Sequence, residues 1–256
     1  MVSIDDFFER FNAKPKTNYQ KYFQNSFGKT PSRVELILSL FNHKEINNIK
    51  FSYLDRFFKE VSADDCKQLL LYEDDNWFAE LNCNLIYENK PCQLKLVLKT
   101  HRSISNSFSW QIVGAHSTML EYNQSVTDSS IMNVKFPVWS AEEKLTPMQF
   151  LSPVAHALEF SEIDKIFEQN PTNTFFFSGQ NPSNELKKLF ILLQQKKLRF
   201  KNIQSISYHL LQLDGWILKI DRFVRNDINS GWLISHLDNT TFEEKNEYKR
   251  KKLNIN

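Results

Sequence analysis

The chain has 256 residues, 41% of them hydrophobic and 24% charged, with a net charge of +2. That is enough apolar material for one large domain, or for two of about 100–130 residues each. The near-neutral balance supplies no global attraction to nucleic acid or to an anionic membrane. Only five glycines argue against Gly-rich phosphate loops and against a sandwich of many tight turns. The three cysteines, Cys66, Cys83 and Cys92, are too few and too irregularly spaced for a disulfide scaffold or a zinc site. They read as ordinary thiols in a reducing compartment. The N-terminal MVSIDDFFERFN lacks the basic start and apolar run of a secretory signal, and no window approaches 18 apolar residues. The expectation is a cytoplasmic chain without a membrane segment.

In chain order, residues 3–12 form an amphipathic helix. Ser3 caps it, Asp5 and Asp6 suit its positive end, and Ile4, Phe7, Phe8 and Phe11 share one face. Residues 13–30 are polar, contain Pro15 and Gly28, and read as a loop. Pro31 suits a first helical position, and Val34, Leu36, Ile37, Leu38, Leu40 and Phe41 continue as a mostly buried helix to about Asn42. Residues 43–50 break the pattern, and 53–61 resume it with Leu54, Phe57, Phe58 and Val61 on one stripe. Ser62 to Asp65 reads as a cap leading into a helix over 66–72. Three alternating runs follow, 77–87, 92–100 and 108–116, with the last placing Trp110, Ile112, Gly114 and His116 on one face. A turn near Asn89 puts Cys83 opposite Lys95 or Leu96.

Residues 119–152 have no sustained period and read as an irregular linker. The period-3.6 pattern returns over 154–169 and again after Pro182, where Leu186, Leu189, Phe190 and Leu193 make one face. Residues 203–237 then form a second three-stranded meander. Asp214–Gly215 reads as its type I′ turn. In its last strand Trp232, Ile234 and His236 fall on one face. Residues 239–256 are charged and read as a frayed helix or tail.

The two halves share wording. Pro31–Ser32 before Glu35–Leu36 matches Pro182–Ser183 before Glu185–Leu186. Arg102 with Asn106–Ser107 matches Arg225 with Asn229–Ser230, and Trp-x-Ile followed by a His recurs at Trp110, Ile112, His116 and at Trp232, Ile234, His236. The expected fold class is α+β, with two lobes of helices plus an antiparallel meander that read as a tandem duplication. Their bounds are 1–118 and 153–238, with a tail at 239–256. In architecture alone, helices followed by a curved meander resemble the nuclear-transport-factor-2-like and cystatin-like folds. That resemblance implies a concave sheet face and a pocket between sheet and helices, but no particular chemistry.

Catalytic motifs are missing. There is no G-x-S-x-G, H-E-x-x-H, Walker loop or Rossmann fingerprint, and the acidic pairs are sequence neighbours that do not converge on a metal. The chain therefore reads as uncertain as an enzyme and leaning away from one, with neither cofactor nor metal. Candidate ligand residues are Trp110, His116, Trp232 and His236, with Arg102 and Arg225 as anion binders, each set against an ordinary core or solvated role. Lys249, Arg250, Lys251 and Lys252 are the nucleic-acid candidates, although Glu243, Glu244 and Glu247 precede them. The leading expectation is a non-catalytic binding or assembly module, using a concave sheet face or a strand edge and engaging a protein partner or a second copy. The alternatives are a small-molecule pocket protein or His/carboxylate hydrolase or isomerase, and a nucleic-acid accessory protein using the tail.

Overall fold

A computed structural model describes the chain except residues 47–48, 64–66, 103–107, 123–125, 137–150, 169–175, 178–181 and 256, and the side chains at 101, 102, 108, 165 and 166. The element order is α1 (Ile4–Phe11), α2 (Asn18–Phe27), α3 (Arg33–Leu38), α4 (His43–Ile46), α5 (Phe51–Ser62), β1 (Trp77–Tyr87), β2 (Lys90–Arg102) and β3 (Phe108–His116). Then come α6 (Thr118–Glu121), α7 (Asp128–Asn133), α8 (Asp164–Glu168), α9 (Asn184–Gln194), β4 (Leu198–Leu210), β5 (Trp216–Phe223), β6 (Gly231–Asn239) and α10 (Phe242–Tyr248), which closes in a π-helical turn, Lys249–Leu253.

Local signals account for the helix ends. Ser3 Oγ accepts the Asp6 N–H at 3.0 Å, and the apolar stripe of α1 is buried as its spacing requires. The start of α3 is set by a capping box. Ser32 Oγ accepts the Glu35 N–H at 3.2 Å, and Glu35 accepts the Ser32 N–H at 2.8 Å. Pro31 therefore precedes the cap instead of opening the helix. Ser183 caps α9 in the same way.

The expected loop at 13–30 contains α2, which Thr17 caps and Gly28 ends at φ +68°. That helix buries no residue, so apolar spacing gave little sign of it. The break at 43–50 holds the single turn α4. Residues 67–71 are not helical, and Cys66 lies outside the described residues. Residues 153–163 form successive turns in place of the expected helix, because Glu159 and Phe160 both take positive φ, +49° and +54°.

Six antiparallel strands are hydrogen-bonded in the order β3-β2-β1-β4-β5-β6. Glu88 and Asn89 both take positive φ, +46° and +68°, so the two-residue I′ turn sits between β1 and β2. Asp214–Gly215 does not form one. Only Gly215 has positive φ, and β4 already ends at Leu210, because Leu211 N–H donates to Asn76 O and Asp214 N–H to Gln68 Oε1. Cys83 pairs with Leu94, one or two residues from the expected register, and Leu85 pairs with Cys92.

Each meander carries one β-bulge. Leu98 pairs with Ile112 and Val97 with Gly114, leaving Val113 extra; Ile220 pairs with Ile234 and Lys219 with His236, leaving Ser235 extra. An extra residue inverts the alternation beyond it. Gly114 and His116 therefore leave the face of Trp110 and Ile112, and His236 leaves the face of Trp232 and Ile234. Strict alternation had placed them together.

The outer edges of the strand order are occupied. Val2 N–H donates to Ser230 O, Trp232 N–H to Val2 O and Ile234 N–H to Leu40 O along β6; Trp110 N–H donates to Leu151 O along β3. A long bare edge is an invitation to pair, and these bridges remove it over the bonded positions.

Contacts divide the chain into two compact units: Met1–Asn76 with Ser207–Phe242, and Trp77–Ile206 with Glu243–Asn256. The expected lobes followed order along the chain, whereas each unit joins separated stretches. In the first unit α1, α3 and α5 accompany the second meander; Trp216 meets Tyr53 and Phe57 edge-on, each at 5.1 Å between ring centres. In the second unit α9 packs on β3, and Trp110 lies edge-on to Trp77 at 4.6 Å and to Phe160 at 5.2 Å. In place of the expected tail, Phe242–Leu253 form α10 and its π-turn, and Leu253 and Ile255 are buried.

Candidate binding groove

Several of the residues singled out from sequence are built into the fold. Trp110 and Trp232 are core side chains, the latter edge-on to Tyr208 at 4.8 Å. Arg225 is a clamp. Its guanidinium donates to Asn42 Oδ1 at 2.7 Å and to Asn229 Oδ1 at 3.0 Å, and its backbone N–H donates to Ser230 Oγ at 3.0 Å. Asn229 in turn donates to Phe41 O at 2.8 Å and accepts from the His43 N–H at 3.0 Å. The Asn-Ser wording of this loop thus fixes the β5–β6 turn onto the segment before α4. Arg102 ends β2, and its side chain lies outside the described residues.

His236 is exposed, 60% of its side chain, and meets Asp238 at 3.0 Å. His116 is half-buried with its Nδ1 2.8 Å from Asn254 Nδ2. Burial, then Lys95, pushes its pKa down, opposed by Glu185 and a hydrogen bond to the Leu253 backbone. It sits under the C-terminal segment, where its Nδ1 accepts the Asn254 amide. In that segment Lys249 lies 5.9 Å from the Phe78 ring, Lys251 pairs with Glu247, and the Lys252 carbonyl accepts from Lys95 Nζ at 3.3 Å. The side chains of Arg250, Lys251 and Lys252 are exposed.

One polar constellation went unnoticed in the sequence. Ser207 on β4 and Ser235 on β6 each donate to Asp221 on β5 at 2.5 Å, and Lys219 Nζ stands 3.1 Å from the same carboxylate. Desolvation raises the Asp221 pKa, but the two hydroxyls and Lys219 outweigh it and the net shift is downward. A charged carboxylate far below neutral is too weak a base to activate either serine. The cluster ties three strands together across one face.

The first unit also contains a groove of about 800 Å³, open to solvent, between α3 and α5. It is lined by Val34 and Leu38 of α3, Ile46 of α4, and Phe51, Leu54, Phe58 and Ser62 of α5, with the ion-paired Asp55 and Lys59 (2.8 Å) at its rim. The helix period explains it. Leu36 and Ile37 of α3 and Leu54, Phe57 and Val61 of α5 are buried. Each helix carries further apolar residues beyond that buried stripe. Val34 is 38% exposed, Leu38 40% and Phe51 83%.

The sequence reading assigned Val34, Leu38 and Phe58 to buried faces. The available signal was excess, since α3 is apolar almost all round. Arg33 holds the walls in place. Its guanidinium donates to Phe11 O at 3.0 Å, to Val61 O at 2.7 Å and to Gln68 O, satisfying carbonyls at the ends of α1 and α5. Burial lowers its pKa.

A smaller cavity of about 200 Å³ lies beside the groove and shares Leu38 with it. Tyr19 and Phe23 of α2, Arg10, Glu35, Ser39, His43, Ile228 and Asn229 line it. Arg10 is committed to Asp6 and stacks over Tyr19 at 3.9 Å. Neither His116 nor His236 lines either cavity. Among the described residues, no three His, Cys, Asp or Glu side chains are grouped to hold a metal ion, and no helix is long and apolar enough to cross a membrane. No family model matches the chain, and no curated protein or solved structure is significantly similar to it.

Proposed function

We propose that this protein is a non-catalytic binding module whose receptor surface is the α3–α5 groove. The observation that carries this reading is the open apolar lining around Leu38 and Phe51, large side chains left to water in a chain whose core is otherwise filled with aromatics. Exposed apolar surface of this kind marks a place where something docks. Among its described lining residues the groove presents no nucleophile-and-base pair: the ionisable ones, Asp55 and Lys59, pair with each other. The bonded edges of β3 and β6 favour the groove over strand addition as the mode of assembly.

The test is a peptide-display selection on the immobilised full-length chain. Selected peptides should lose about tenfold or more in affinity on Leu38→Asp and on Phe51→Asp. Both residues are substantially exposed, so the melting temperature should hold. A selection yielding only binders indifferent to both substitutions would overturn the reading.

We further infer that the two meanders are copies of one ancestral unit. Each places Trp-x-Ile just before its bulge, with Leu98 and Ile220 as the equivalent partners of Ile112 and Ile234. In a crystal structure, superposing the meanders should match Leu98 with Ile220. A best fit in another register would sink the idea.

A further inference from the structure

We propose that the smaller cavity of the first unit is a binding site for a small aromatic carboxylate, a second site that does not depend on the groove reading. Its wall is built by that unit alone, from α1, α2, α3, the start of α4 and the β5–β6 turn.

Arg10 decides the chemistry. It lines the cavity as a buried cation, with 9% of its side chain exposed. The i, i+4 spacing on α1 brings it to Asp6, and the pairing is side-on: Nε donates to Asp6 Oδ1 at 3.0 Å and Nη2 to Asp6 Oδ2. Tyr19 covers one flat face of the guanidinium, whose central carbon lies 3.9 Å from the ring centre. A guanidinium carries its N–H donors in a rigid planar fork, and side-on pairing leaves the end of the fork unused. That end, Nη1 with the outer proton of Nη2, has no hydrogen-bond partner in the protein among the described residues. Unpaired donors on a buried cation are costly, so the open edge is a place for an acceptor brought by a ligand.

The acceptors of the wall are already used. Glu35 accepts from Lys29 Nζ at 2.7 Å and from the Ser32 N–H at 2.8 Å, one bond to each oxygen. Asn229 Oδ1 accepts from Arg225 and from the His43 N–H, and the Ser39 hydroxyl donates its proton to Leu36 O at 2.6 Å. The exposed His43 imidazole adds a group able to donate. Arg10 and Glu35 each have their own counter-ion, so selection falls to the open edge and not to net charge. Spare donors without a spare carboxylate favour an acceptor over an ammonium group. Among acceptors, a carboxylate matches two parallel N–H groups and gains a charge-assisted bond from each.

The remaining lining sets the body of the ligand. Tyr19 and Phe23 lie one turn apart on α2, 6.1 Å between ring centres, and share the wall with Leu38 and Ile228. Both are half-buried on a helix that is mostly exposed. The cavity's volume of about 200 Å³ exceeds the roughly 150 Å³ that holds benzene. It is smaller than the pockets of about 300–1,000 Å³ that take drug-sized ligands. One ring with a short acid arm fits.

The experiment titrates the isotope-labelled full-length chain with phenylacetate, phenylacetamide, phenethylamine and acetate, following backbone amide shifts and the Arg10 Nε–H signal by NMR. Phenylacetate should bind saturably with a Kd below about 1 mM. It should bind about tenfold tighter than each of the other three, with shifts centred on Tyr19, Phe23, Ser39 and His43. Phe23→Ala, on a helix that buries no residue, should weaken binding several-fold and leave the melting temperature unchanged. Arg10→Lys keeps a cation for Asp6 but removes the fork. It should cost about tenfold in affinity and erase the preference for acid over amide. If that variant fails to fold, Phe23→Ala and the comparison of acid with amide decide.

Equal affinity for phenylacetamide, or tighter binding of phenethylamine, would overturn the carboxylate. Equal affinity for acetate would overturn the aromatic body. Shifts confined to Val34, Phe51 and Phe58 would put the ligand in the neighbouring groove and sink the site, as would the absence of saturable binding. The groove reading stands or falls on the display selection alone.

Discussion

Single side chains settle whether a polar group here is chemistry or construction. Asp221 is the clearest case. Its carboxylate is the meeting point of two hydroxyls and an ammonium group drawn from three strands. Because its pKa is lowered in the folded chain, the unfolded chain takes up a proton first as pH falls from about 4. The stabilisation it provides is fully present above that pH and is lost as pH drops through the folded value. Asp221→Asn should flatten that part of an acid-unfolding curve, measured by circular dichroism, and lower stability at neutral pH. An unchanged acid limb would show that the cluster contributes nothing. The buried Cys83 thiol, pushed up to about 12 by desolvation alone, is by the same logic inert at neutral pH.

Elements show where sequence reasoning works and where it stops. The bounds of β1 and β3 and the start of α9 were legible, because alternation and a Ser cap are local properties of the chain. The first turn of α3 was equally local but hidden by Pro31, which drew attention from the Ser32–Glu35 box. Bulges are not local. Whether Val113 or Ser235 becomes the extra residue is decided by the partner strand, so His116 and His236 were assigned to the wrong faces. The groove was illegible for a related reason: periodicity says which residues are apolar, not whether anything covers them. The turn between β1 and β2 offers a direct check. Glu88 and Asn89 occupy the two left-handed positions that Asn and Gly tolerate best. Glu88→Asn with Asn89→Gly should raise stability by about 0.5–1 kcal/mol in urea melts. A loss would show that the turn is held by contacts other than its own backbone preference.

At the scale of the molecule, the C-terminal segment belongs to the fold of the second unit. Leu253 and Ile255 are buried, and the isoleucine's Cγ2 lies 2.9 Å from where a Cβ on Gly114 would stand. Removing 249–256 should therefore destabilise the protein by roughly 3–6 kcal/mol as an upper bound on two buried aliphatic side chains. Reversing the exposed charges at Arg250 and Lys251 should leave the melting temperature almost unchanged. If the truncated chain melted like the full one, the segment would be an appendage after all. Nucleic-acid binding through this segment is better probed with the charge reversals, which spare the packing.

The discontinuous make-up of the units has a consequence for the way the chain leaves the ribosome. Met1–Asn76 folds with Ser207–Phe242, so α1, α3 and α5 are finished long before their meander exists. At 5–20 residues per second that delay is about ten to thirty seconds. During it Phe7, Phe8, Phe11, Phe41 and Phe57, all buried in the end, have no sheet to cover them. Nor can the second unit close early, since it needs Glu243–Asn256, which is made after the rest of that unit. The nascent chain thus carries its aromatic helices uncovered until residues 207–242 emerge, a period when chaperones have access to them.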